Sequence, residues 1–275
     1  MSRKVSFASL LAVGLFGLAL TVAMPYAQGP NNTSRNDCHA LPSWESLKAA
    51  LSAATAEPNG LLGNHMWGTI VDRSGVVCAV AFTGADRTNQ WLGSRVISAQ
   101  KANTANYFSL PPGSSRTFPQ GLALSTANLY TAVQPGGSLY GLQASNPVST
   151  DVAYSGNPDH YGAANDPMVG GRIGGINVFG GGLPLYDANR VLVGGLGVSG
   201  DTSCADHNVA YRTRNTLELD WVPAGVSGNP ARRDTIVYDI VPQPGQMPGI
   251  SPSGWGHPTC FPPDVAAEAS LPNNR

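Results

Sequence analysis

Charge is what this chain has least of. Charged residues make up 12%, about half of the ~25% usual in soluble domains. The 16 basic residues face 17 acidic ones, with no Lys/Arg cluster, which excludes a nucleic-acid surface driven by counterion release. The sequence has no C-x-x-C, which excludes a redox dithiol and the thioether cofactor-attachment spacing. It has no H-x-x-x-H or other close histidine pair, so nothing supports a zinc site. Only one long apolar run is present, and no internal repeat. Glycine and proline are plentiful, with 33 Gly and 22 Pro, a fifth of the chain against roughly 12% on average. The hydrophobic share of 42% supports a sizeable core and excludes wholesale disorder. These proportions describe a loop-rich protein with few surface charges.

The apolar run opens the chain. Arg3 and Lys4 precede an uncharged stretch from Val5 to Ala23, followed by Met24, Pro25, Tyr26 and Ala27. This is the layout of a secretory signal peptide over residues 1–27, removed after Ala23 or Ala27. Thr21 suits the first site and Pro25 disfavours the second. The stretch, about 19 residues, is near the minimum for a span, so an uncleaved anchor is the alternative. Cleavage leaves no stable membrane span and puts the protein outside the cytosol, in the periplasm or beyond the cell. There an even number of cysteines reads as disulfides. Cys38, Cys78, Cys204 and Cys260 allow three connectivities. Cys38–Cys78 with Cys204–Cys260 is favoured, because each bridge would pin a terminal segment to the core. Buried free thiols are the alternative.

Residues 28–42 read as irregular. Ser43 caps a helix in which Trp44, Leu47, Leu51 and Ala54 recur at helical spacing, and Pro58-Asn59-Gly60 stops it. Trp67 to Val71 and Val76 to Phe82 form a hairpin around Asp72-Arg73-Ser74-Gly75. Ser94 to Phe108 is a helix rich in small residues, and Ser125 to Val133 a shorter one. Residues 143–172 read as a long loop of the functional or inserted kind. Strand signals return at Ile176 to Phe179, Leu183 to Tyr186 and Val191 to Val198. Ser203 opens a final helix reaching about Leu217, with Asp206 as its capping-box partner. A Pro-rich tail follows over 223–275, with a β-like run at Thr235 to Val241, packed on the core and clipped by Cys260. Paired strands with helices inserted predict an α+β domain over 43–222: one antiparallel sheet with helices against it.

The chemistry-bearing patterns are few. Gly195-Leu196-Gly197-Val198-Ser199-Gly200 fits G-x-G-x-x-G, and Asp220 lies where a ribose-binding acid would stand. No βαβ unit continues from it, so the glycines read as a tight strand-to-helix turn. Amides near Gly197, Ser199, Gly200 and Ser203 at the helix start would hold an anion. Ser199 lacks the G-x-S-x-G elbow, because Asp201 takes the last position. Of His39, His65, His160, His207 and His257, only His160 and His207 are candidates for axial ligation of a haem iron. Lys101 and Thr104 lie three apart on one helical face among alanines. That surface suits a flat, apolar, acidic guest, with the ammonium for its carboxylates. A solvated lysine on an amphipathic helix is the plainer alternative.

These pieces together resemble the GlcG/HbpS-like haem-binding family. The matches are Ile70-Val71-Asp72-Arg73-Ser74-Gly75, then Thr83-Gly84-Ala85 where the family has Asp-Gly-Ala, then Lys101-Ala102-Asn103-Thr104-Ala105. Gly181-Gly182-Leu183-Pro184-Leu185 and Val193 to Gly200 follow in order, with Asp206 before the last helix. The resemblance implies a profilin-like fold, homo-oligomers, and binding of haem or another tetrapyrrole in haem or iron sensing or storage. It places Thr104 at the haem iron and Lys101 beside it. Two rival functions are an enzyme or accessory subunit acting on a small organic acid, and an interaction protein whose 143–172 loop docks a partner.

Overall fold

The computed structural model describes residues 37–275. The expected signal peptide, residues 1–27, and most of the irregular stretch before Ser43 lie outside the described residues. From Asp37 to Ala40 the chain makes a 3-10 turn. Helix α1, Trp44–Ala56, starts where Ser43 accepts a hydrogen bond from the Ser46 amide, and it buries Leu47, Ala50, Leu51 and Ala54. Strands β1 (Trp67–Asp72) and β2 (Val77–Phe82) form the hairpin. Its turn is closed by the Asp72 carboxylate, which accepts from the Ser74 and Val76 amides at 2.8 and 2.9 Å. Helix α2 runs Ser94–Phe108. Strands β3 (Gly182–Tyr186) and β4 (Leu192–Ser199) complete one sheet of order β2-β1-β4-β3, antiparallel at every pairing. The architecture is α+β, as the order of strand and helix signals predicts.

Alternation in the central strands feeds two cores. Ile70, Leu196 and Val198 face α1 and helix α6 (Ser203–Thr216) with Leu47, Leu51, Val209 and Tyr211. Trp67, Val71 and Val80 face the other way, with Ala99 and Ala102 of α2. Gly195 and Gly197 of β4 let α2 lie almost on the sheet. A Cβ on Gly195 would fall 2.2 Å from the Ala102 carbonyl oxygen, and one on Gly197 1.9 Å from that of Ser98. The small residues of α2 and the glycines of β4 are therefore two halves of one helix-on-sheet contact.

Several local expectations change. Ile176 to Phe179 is not a strand. Its backbone is satisfied by side chains instead of a ladder: Asn177 N donates to Thr104 Oγ1 at 3.0 Å, and Phe179 N to Asn177 Oδ1 at 3.1 Å. Helix α6 is capped by Thr202, whose hydroxyl accepts from the Ala205 amide at 3.2 Å, not by Ser203. Asp206 accepts from the Asp201 amide. The Ser125–Val133 segment is a 3-10 turn, Thr126–Leu129, running into helix α3, Tyr130–Val133. The 143–172 stretch begins within the single turn α4 (Leu142–Ser145) and contains α5 (Thr150–Ala153) and a 3-10 turn at Pro158–His160. It is built into the molecule. Ala153 and Met168 lie in the α2-side core, and the Asp166 carboxylate pairs with Arg95 of α2, both fully enclosed. These buried residues anchor the stretch, while most of its other residues are exposed or half-buried.

The tail is mostly irregular over Thr235 to Val241. Beyond it, β5 (Val241–Gln243) pairs with β6 (Gln246–Ile250), and α7 spans Pro262–Glu268. Asp234 pairs with Arg214 of α6 at 2.6 Å, both fully buried. The cysteines pair as Cys38–Cys78 and Cys204–Cys260, and core and tail belong to one compact unit. Among the described residues no helix is long and apolar enough to cross a membrane.

Candidate functional site

Lys101 and Thr104 are in the interior. Lys101 is 1% exposed. Its Nζ donates to Asp206 Oδ2 at 2.6 Å and to the Val198 carbonyl at 3.0 Å. Burial pushes the Asp206 carboxyl up to about 6 and pulls the Lys101 ammonium below its ordinary range, while each charge favours the other. Thr104 is 0% exposed. Its hydroxyl donates to the Gln100 carbonyl at 2.7 Å and accepts from Asn177 N. The alanine-lined surface beside these two is covered by the molecule's own sheet, so in this arrangement neither side chain meets a planar guest.

The strand-to-helix turn is also filled from within. Gly197 lies under α2, and Ser199 is buried in β4 opposite Trp67. A Cβ on Gly200 would sit 2.2 Å from the His65 carbonyl oxygen. The amides of Asp201 and Thr202 donate to the carboxylates of Asp206 and Asp201 at 2.8 and 2.6 Å. The protein's own carboxylates thus take the place expected for a bound anion. His207 is 0% exposed and neither ring nitrogen has a hydrogen-bond partner. Burial holds its pKa down at about 3, and no opening leads a haem to it among the described residues.

An open cleft lies elsewhere, at the end of the hairpin. It encloses about 500 Å³ between Trp44 and Lys48 of α1, Phe82, the Gly84–Arg87 loop, and Pro158 to Ala163. Trp44 Nε1 donates to the Gly162 carbonyl at 3.0 Å, and Lys48 Nζ donates to that of Phe82. Phe82 stacks on Trp67 with centroids 4.5 Å apart. Gly84 is required here, because a Cβ would meet the Phe82 ring at 2.6 Å. Arg87 and Asp159 pair loosely at 3.8 Å. Two exposed imidazoles belong to neighbouring residues: His65 stands edge-on to the lining residue Phe82 at 6.0 Å, and His160 precedes the lining residue Tyr161 in sequence. The Thr83-Gly84-Ala85 piece was the sequence signal for this place, but nothing local shows that residues 158–163 would form its opposite wall.

A tetrapyrrole needs aromatic or aliphatic faces for the ring, cations for the propionates and an axial ligand for the iron. The cleft lining offers Trp44, Phe82 and Tyr161 for the ring and Lys48 and Arg87 for the acids; His65 and His160 are adjacent to lining residues but do not line it. Its lining is more polar than a deep haem pocket, so it fits a ligand held partly at the surface. Among the described residues, the side-chain groups close enough to share a metal ion are Cys204, His257 and Cys260, and Cys38, Asp72 and Cys78. The cysteines of both are consumed in disulfides.

Residues 43–214 match the family described as haem degrading protein HbpS-like, and the chain belongs to that family. Among solved structures it is similar to a PduOC:heme complex, at 24% identity over 64% of this chain and 94% of that one, with a TM-score of 0.40. It is similar to the Klebsiella pneumoniae protein ORFY at 23% identity, over 64% and 90%, with a TM-score of 0.40. A double mutant of HbpS from Streptomyces reticuli is 17% identical over 71% and 97%, with a TM-score of 0.38. No curated protein matches the chain.

Proposed function

We propose that this protein binds haem or a closely related tetrapyrrole, and that the cleft between α1, the Gly84–Arg87 loop and residues 158–163 receives it. The observation that carries the reading is membership of the HbpS-like family across residues 43–214. The aromatic and cationic residues lining the cleft support it. When bound, the iron would supply redox and ligand-exchange chemistry. The chain's own residues grip the ring edge and neutralise the propionates. The signal-like N-terminal sequence and the two disulfides support action outside the cytosol; we extend the reading to haem or iron sensing or storage and to a homo-oligomer.

Haemin titrated into the purified protein should give a saturable Soret shift. Arg87→Ala should weaken it, and His65→Ala or His160→Ala should move its position if that imidazole ligates the iron. Thr104→Val, which alters only an enclosed hydroxyl, should leave the affinity as it was. A flat titration overturns the haem reading. A Thr104→Val protein that stays folded and loses the shift overturns the location. The polar lining and the two cations also favour a small organic acid as guest, whether turned over or only held. Calorimetric saturation by a short dicarboxylate with no response to haemin would select that reading.

A further inference from the structure

Ser203 forms a hydrogen-bonded pair with His257, which lies beyond the stretch matched to the family, 43–214. Ser203 Oγ lies 2.8 Å from His257 Nε2, and His257 Nδ1 lies 2.7 Å from the Pro258 carbonyl oxygen. A carbonyl only accepts, so Nδ1 carries the proton and Nε2 presents its lone pair to the serine hydroxyl. The Gly180 amide donates to the same Oγ at 2.6 Å, leaving the hydroxyl proton directed at Nε2. A nucleophile, a base and a group orienting the base are therefore in line, as acyl-transfer chemistry requires.

The surroundings hold that geometry. Ser203 is the first residue of the 14-residue helix α6, directly after the turn that leaves β4. A strand-to-helix turn is also where hydrolase serines of unrelated folds are placed. The bridge from Cys204 to Cys260 anchors both partners' segments. The His257 amide donates to the Val237 carbonyl at 2.8 Å, and its ring meets Tyr130 edge-on at 5.2 Å. Gly180 passes so close that a Cβ would fall 2.3 Å from the Ser203 carbonyl oxygen. His257 is 3% exposed, whereas Ser203 is partly open to solvent. Burial lowers the imidazole to about 4, so the ring is neutral at pH 7 and its Nε2 lone pair is unprotonated.

We propose that Ser203 is an activated nucleophile with His257 as its general base, acting on short-chain carboxylic esters. Oγ bonds to the ester carbonyl carbon while its proton passes to His257 Nε2. The bond from that carbon to the alkoxy oxygen breaks, and the alcohol leaves with the proton from Nε2. Water then repeats the sequence on the acyl-serine, releasing the acid and restoring the hydroxyl. No electrons are exchanged with any other reagent. Only an accessible acyl group is required, and the partial exposure of Ser203 limits it to small ones.

The test is to treat the full protein with a fluorophosphonate probe, follow intact mass and map the adduct, and assay 4-nitrophenyl acetate hydrolysis in parallel. A single adduct on Ser203 is expected, with ester turnover, both abolished by Ser203→Ala. His257→Gln, checked for folding by thermal melting, should slow both by about 100-fold or more. No adduct on the unmodified protein, an adduct on another residue, or labelling indifferent to His257→Gln in a folded protein overturns the proposal. The unmodified protein and Ser203→Ala decide the matter even if His257→Gln fails to fold. Haemin binding is a separate measurement at a separate place.

Discussion

The ammonium of Lys101 and the carboxylate of Asp206 meet at 2.6 Å in an interior that neither shares with solvent. The pair joins α2 to α6 around the sheet. Its role is architectural in this arrangement: it closes the space between the helix that crosses the sheet and the helix that follows β4.

Removing one partner should therefore cost stability before anything else. Lys101→Met strands a buried carboxyl, and Asp206→Leu strands a buried ammonium. Each should lower unfolding free energy by about 3–5 kcal/mol, read from urea denaturation. The double variant should recover most of the loss, since no uncompensated charge remains. Equal losses in the double and single variants would assign the cost to packing.

Glycines in β4 are tested by a contrast. Gly197→Ala puts a methyl 1.9 Å from the Ser98 carbonyl oxygen, so α2 must lift from the sheet. The cost should be at least about 1–3 kcal/mol. Gly93→Ala, just before α2, meets only Ile97 at 3.5 Å and should be nearly neutral. Similar melting temperatures for both variants would contradict the helix-on-sheet contact described for α2.

His207 sets an acid limit. Its folded pKa of about 3 lies below the ordinary 6.5, so the unfolded chain binds the proton first as pH falls. Stability contributed by keeping this ring neutral is lost progressively from pH 6.5 down toward 3. Between pH 7 and 5 the unmodified protein should lose about 2 kcal/mol more than His207→Leu. Burial raises Asp206 and Glu268 and lowers His257, but those groups are common to both proteins and cancel in the difference. Parallel pH curves would show that His207 is hydrated in solution.

The Cys204–Cys260 bridge closes a loop with a sequence separation of 56. A chain-entropy treatment assigns such a loop about 4 kcal/mol. The Cys204→Ser, Cys260→Ser protein should melt well below the unmodified one and expose the tail to limited proteolysis. Retention of both melting temperature and protease resistance would show that the Arg214–Asp234 pair and the contacts of α7 suffice to hold the tail.

The sequence alone determined what short-range physics controls. Periodicity, a serine cap and turn residues placed α1, the hairpin and α2, because each signal acts within a few residues of the structure it specifies. Ordered matches to a family determined membership. Tertiary structure decided what the small residues of α2 are for. An alanine-lined helix face reads the same whether its partner is a planar ligand or a glycine strand, and only the approach of β4 selects the second. It also decided the partners of Lys101 and Ser203, which come from Asp206 and His257. Those contacts span 105 and 54 residues of sequence, and no local pattern encodes such a distance. The cleft at Gly84–Arg87 is of the same kind, with one wall in a motif and the other in a loop held by distant contacts such as the Arg95–Asp166 pair.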